Sequence, residues 1–207
     1  MPAVALPCPE WKYENHPQHN TAMPLRVAEI LSSITDSALC ASTAIDTRQA
    51  HRKMLVELTP PGYEYYAGHY RGEDFPCLLS CEVRIPHDPR VGAPANTVLA
   101  RMSRLSANIR AGLVALDRQE PITTKDYQRI LAFICATFVN FLTIHPYLNG
   151  NGHAARLILW CILRRYGFWP RWQIDIHPPD PPYSSMIARY RSGEKQPLEQ
   201  YVLQWLV

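Results

Sequence analysis

The sequence predicts a mostly α protein, a helical bundle with a small β-hairpin flap, and three observations carry that expectation. Apolar residues recur every three or four positions over several long stretches. Two of those stretches are apolar almost all round, as helices at the centre of a bundle are. One tyrosine- and glycine-rich segment breaks the pattern with short β-prone runs between prolines. With 207 residues, 47% of them hydrophobic, the chain can bury one substantial core and reads as one domain.

Taken in order, residues 1–22 carry Pro2, Pro7, Pro9 and Pro17 among polar residues and read as a flexible arm, with the domain spanning 23–207. LRVAEILSSITDSALC places Leu25, Ile30, Leu31 and Ile34 near helical spacing. DTRQAHRKMLVEL reads as a second helix, with Asp46 as its N-cap and Pro60 and Pro61 beyond its end. YEYYAGHYRGEDFPCLLSCEVRIP is the expected flap. NTVLARMSRLSANIRAGLVAL is amphipathic through Val98, Met102, Leu105, Ile109 and Leu113. TTKDYQRILAFICATFVNFLTI and AARLILWCILRRYG are the two central helices, and PPYSSMIARYRSG and PLEQYVLQWLV give two short closing ones.

Composition excludes several classes. The start has no basic segment followed by a sustained apolar run, and no stretch of about 18 uncharged apolar residues occurs, so neither export nor a membrane is expected. A net charge of +3, spread along the chain, gives no reason to expect nucleic acid. Cys8, Cys40, Cys77, Cys81, Cys135 and Cys161 are scattered and read as reduced thiols. Cys77 and Cys81 lack a second pair to close a zinc site. The expected location is cytoplasmic, or another cell reached without a recognisable signal.

HPYLNGNGHAAR, residues 145–156, lies between the two central helices. A helix N-terminus offers unpaired N–H groups and partial positive charge, and Gly150, Asn151 and Gly152 sit where an anion could approach them. Arg156 is one turn beyond His153, so both can face the same point. His145, followed by the helix-stopping Pro146, can hold its imidazole over that point. Asn-Gly pairs also make ordinary turns, and a histidine before a proline can simply end a helix. Spacing alone leaves both a phosphate-binding loop and a plain joint open.

The segment resembles the signature of Fic-domain proteins, H-P-F-x-[DE]-G-N-G-R-x-x-R, with Tyr147 in place of Phe. GHYR at 68–71 resembles the family's flap, and residues 122–169 its paired central helices. The resemblance implies the Fic fold and a transferase that moves AMP from ATP to a hydroxyl of a target protein. His145 would be the general base. Gly150, Asn151, Gly152, His153 and Arg156 would hold phosphates, and Tyr66, Gly68, His69, Tyr70 and Arg71 would hold the target as an added strand. Asn149 replaces a magnesium-binding carboxylate, so it would be a weak ligand for Mg2+ carried by the nucleotide. His153 replaces an arginine, and donor phosphates beside it would raise its pKa. Two further readings are a transferase with another nucleotide or phosphorylated donor, and a Fic-fold binding module. Many toxin-like members are blocked by a helix of pattern [ST]-x-x-x-E-[GN]. Glu14 and Asn15 come nearest here, but Glu10 stands where Ser or Thr is needed, so an inhibitory glutamate is expected from a separate antitoxin-like partner or an unrecognisable helix.

Overall fold

A computed structural model describes residues 8–83, 85, 88–118, 124–171, 174–180 and 182–204. The α-helices among the described residues are α1 (His19–Ser33), α2 (Ser37–Ile45), α3 (Arg48–Leu55), α4 (Ala95–Asp117), α5 (Thr124–Ile144), α6 (Asn151–Arg165), α7 (Tyr183–Arg191) and α8 (Gln196–Leu203). The first predicted helix is split. Asp36 accepts from the N–H groups of Ala38 and Leu39 and starts a new helix after Ile34, while Thr47 rather than Asp46 precedes α3.

The core sits around α5 and α6. α6 packs against α2 and α5, and α5 also lies against α4 and α8. Ile134, Cys135, Phe138 and Phe141 of α5 and Leu157, Leu159, Cys161 and Leu163 of α6 are buried, each larger side chain contributing about 1.5–3 kcal/mol by leaving water. Residues Asp126–Ile144 are long and apolar enough, by length and composition, to cross a membrane. Here their apolar faces are consumed by neighbouring helices, with 56% of the window buried.

Three expectations are corrected. The flap is not a hairpin, for no strand occurs among the described residues. The segment after α3 runs through 3-10 turns at Val56–Leu58 and Glu64–Tyr66, and Gly62, Gly68 and Gly72 adopt positive φ. Its N–H groups are spent locally: Gly68 donates to His51 Nδ1, Tyr70 to Glu73, and Arg71 to the Pro146 carbonyl. No row of free groups is left for a ladder. The arm is not a loose tail from Cys8 onward, since Trp11 and Tyr13 are buried and α1 begins at His19; its residues 1–7 lie outside the described ones. The cysteines are not all reduced either. Cys8 is disulfide-bonded to Cys77, 69 residues away, because the arm folds back over the flap segment.

Candidate functional site

A cavity of about 950 Å³ opens where the α5–α6 loop, α7 and the N-terminal arm meet. Gly150 forms its floor at the N-terminus of α6, in the left-handed conformation with φ 74°. A Cβ there would lie 2.4 Å from Leu55 Cδ1 and 2.9 Å from His51 Nε2, so both backbone angle and space demand glycine.

His145 caps the end of α5 at φ 52°, a strained angle for a non-glycine residue. Its carbonyl accepts 2.9 Å from Arg71 Nε, and its N–H bonds the Phe141 carbonyl. Nδ1 is buried without a hydrogen bond of good geometry, which leaves Nε2 as the nitrogen open to the cavity. Burial, with Arg71 beside it, lowers the imidazole to about 4. At neutral pH it is therefore uncharged and able to accept a proton.

Tyr147 is fully buried, stacked on His51 at 3.6 Å, and its hydroxyl pairs with Thr47 Oγ1 at 2.8 Å. That partner is why a tyrosine fits an apolar slot. The Asn151 amide brackets the same turn, accepting from Tyr147 N and donating to Tyr147 O, both at 2.9 Å.

The family model for the Fic/DOC family matches residues 43–163, from α2 through the flap segment and the loop to α6. The chain belongs to the Fic/DOC family. No curated protein matches the chain.

In this Fic protein the cavity brings together His145, Asn149, Gly150, Asn151, Gly152, His153 and Arg156. Their detailed roles differ from the motif's expectation in three places. The Asn151 side chain braces the loop instead of facing an anion. His153 does not carry charge: its Nδ1 lies 2.6 Å from the Ile174 carbonyl and 2.8 Å from Arg156 Nη2, and its Nε2 pairs with Tyr13 Oη at 2.7 Å. Burial first, and Arg156 second, hold it down at about 3. Arg156 is buried beside it, with Nε and Nη2 both donating to the same Ile174 carbonyl. Asn149 is turned against metal binding. Its Oδ1 accepts from Gly150 N at 2.7 Å, and Nδ2 faces two acceptors, Trp11 O at 3.0 Å and Glu14 Oε2 at 3.4 Å. A flipped amide would set oxygen against oxygen, so the orientation is fixed. No cluster of three metal-ligating side chains occurs among the described residues. The residues present do not fit a resident Mg2+.

The flap residues are placed inward. Tyr66, Gly68, Tyr70 and Arg71 are buried, and only His69, bonded to Glu73 at 2.6 Å, keeps a partly open side chain. With the Gly68, Tyr70 and Arg71 N–H groups spent, the segment anchors the loop from within.

Two contributors were not anticipated. His51, on α3, takes the Gly68 N–H on Nδ1 at 2.9 Å and therefore donates from Nε2 to the Asn149 carbonyl at 2.9 Å, tying flap segment to loop. A lone histidine in a polar helix gives no spacing signal for this. The arm is the other: Tyr13 and Glu14 line the cavity, and Trp11 donates from Nε1 to the Leu58 carbonyl. Glu14 is the glutamate nearest the inhibitory pattern, yet it meets Asn149, and Tyr13 meets His153.

His51 at about 4, His145 at about 4 and His153 at about 3 are each lowered chiefly by burial. Unfolded, each titrates near 6.5, roughly, so in between the unfolded state binds more protons. Their contribution is fully present above about pH 6.5 and is lost as pH falls toward 4, by up to about 1.4 kcal/mol per pH unit for each group. Denaturant unfolding at stepped pH should show this slope, and His51→Gln should lower it by about one proton. Constant stability from pH 7 to 5 would contradict the neutral buried histidines.

Proposed function

We propose that this Fic protein is a protein nucleotidyltransferase that moves AMP from ATP to a hydroxyl on a target protein. His145 Nε2 takes the hydroxyl proton as that oxygen attacks the α-phosphorus, and pyrophosphate leaves. The neutral His145 imidazole, sealed at Nδ1 and open to the cavity over the α6 N-terminus, is the observation that carries the reading. The N–H groups at Gly152 and its neighbours, with the α6 dipole, would favour the phosphates. Mg2+ enters as part of the nucleotide complex, because the Asn149 oxygen is uncharged and already accepts from Gly150 N.

The neutral His153 favours a second reading, in which the donor is another nucleotide or phosphorylated compound, since one fixed cation orients a phosphate chain less tightly than two. Incubation with labelled ATP, GTP, UTP and CTP plus Mg2+ or Mn2+, followed by mass spectrometry of the chain itself, separates the two. An AMP adduct formed from ATP supports the first. An adduct from another donor selects the second. No adduct from any donor, under oxidising or reducing conditions, leaves a Fic-fold binding module.

A further inference from the structure

We propose that Cys8–Cys77 is a thiol–disulfide exchange site for a dithiol reductant, and that its state sets whether the arm stays in the catalytic cavity. The inference rests on the proposed reading only in what the cavity binds.

The arm forms part of the cavity wall through Tyr13 and Glu14. Tyr13 Oη is bonded to His153 Nε2, Asn149 Nδ2 is bonded to the Trp11 carbonyl, and Glu14 projects beside Asn149. These contacts cover His153, one of the positions at which a phosphate chain would meet the loop, and Asn149 beside the Gly150–Gly152 turn. The arm is fastened at both ends. Its C-terminal end continues into α1, which packs on α3, and its N-terminal end is bonded through Cys8 to Cys77 in the flap segment. Between the ties, only Trp11, Tyr13 and a few hydrogen bonds hold about ten residues.

The bond is placed for exchange. Cys8 is exposed and Cys77 half-buried, so an external thiolate reaches the Cys8 sulfur first. A mixed disulfide forms at Cys8, and Cys77 leaves as a thiolate and takes a proton from water. The reductant's second thiolate then closes its own disulfide and releases Cys8. Two electrons pass from the dithiol to the protein disulfide. Cys81, four residues from Cys77, is a poor internal substitute, because burial raises its thiol and disfavours the thiolate.

Freeing one end lets the detached arm explore far more conformations, which raises its population by roughly ten- to a hundredfold. Hydrogen exchange on the full chain, with and without a dithiol reductant, reads this at the amides of Asn15 and His16, which bond the Lys12 and Tyr13 carbonyls. Reduction should speed both by about tenfold or more, and Cys8→Ser should behave as reduced protein in either condition. ATP affinity measured in parallel should tighten by a similar factor.

Equal exchange before and after reduction, in protein whose Cys8–Cys77 bond is verified by peptide mapping, overturns the proposal. So does mapping that finds Cys8 unpaired in oxidised protein. Faster exchange with no ATP binding in either state keeps the latch and removes the ATP reading instead.

Discussion

His145→Ala is expected to slow nucleotidyl transfer by about 10²- to 10⁴-fold while leaving nucleotide affinity within a few-fold of the parent. The asymmetry follows from where the imidazole sits. Nδ1 is buried with no hydrogen bond of good geometry and only the Leu142 backbone beside it, so truncation disturbs at most one weak contact in the fold. The His145 carbonyl, which Arg71 holds, and the N–H, which Phe141 accepts, belong to the backbone and survive the change. The Gly150–Gly152 turn is likewise built by Asn151 and His51, neither of which needs the imidazole. Alanine is less at home in the left-handed region at φ 52° than histidine, so a small loss of stability is expected as well. Single-turnover transfer with excess protein, beside direct titration of ATP, separates the step from the binding. A transfer rate within threefold of the parent would remove the base from the mechanism.

The helical framework was legible because periodicity reports which face is buried. Val98, Met102, Leu105, Ile109 and Leu113 were marked by spacing, and all five line the buried side of α4. The ends were less legible: Asp46 looked like an N-cap, but its carboxylate is engaged by Arg48 and the helix starts from Thr47. In the loop, residue type and spacing pointed to His145, Gly150 and Arg156, and the fold gathers them around one cavity. What spacing did not reveal was how each group is spent. Asn149 and Asn151 carry the same amide, and only three-dimensional partners show one facing the arm and the other bracing Tyr147. His153 illustrates the same limit: a phosphate neighbour would raise its pKa, whereas burial and Arg156 lower it. The arm was illegible because Trp11 and Tyr13 are isolated aromatics among polar residues and prolines, with no period to betray a docking face.

Arg71→Met is expected to cost about 3–5 kcal/mol of folding stability, or roughly 10 °C in unfolding temperature for a domain of this size. Arg71 is fully buried, and its guanidinium donates to four backbone carbonyls: Nε to His145, Nη1 to Cys81, and Nη2 to Ala93 and Ile144. One side chain thus joins the flap segment, the approach to α4 and the end of α5. Burial depresses its pKa, with Cys81 and Glu82 opposing, which marks the desolvation cost that those carbonyls offset. Methionine fills a similar length but donates nothing, leaving carbonyls buried with fewer partners. Lysine keeps the charge, yet a single ammonium cannot span the planar fork that reaches three segments, so Arg71→Lys should recover less than half of the loss. The change should also be felt at the site: without the Nε bond, the strained φ of His145 loses one of the contacts that enforce it. Transfer should therefore fall more steeply than the folded fraction, measured at a temperature where the variant is still mostly native. An Arg71→Met protein within about 1 kcal/mol of the parent would mean that water replaces the guanidinium at these carbonyls, and that the flap segment holds its place by packing alone.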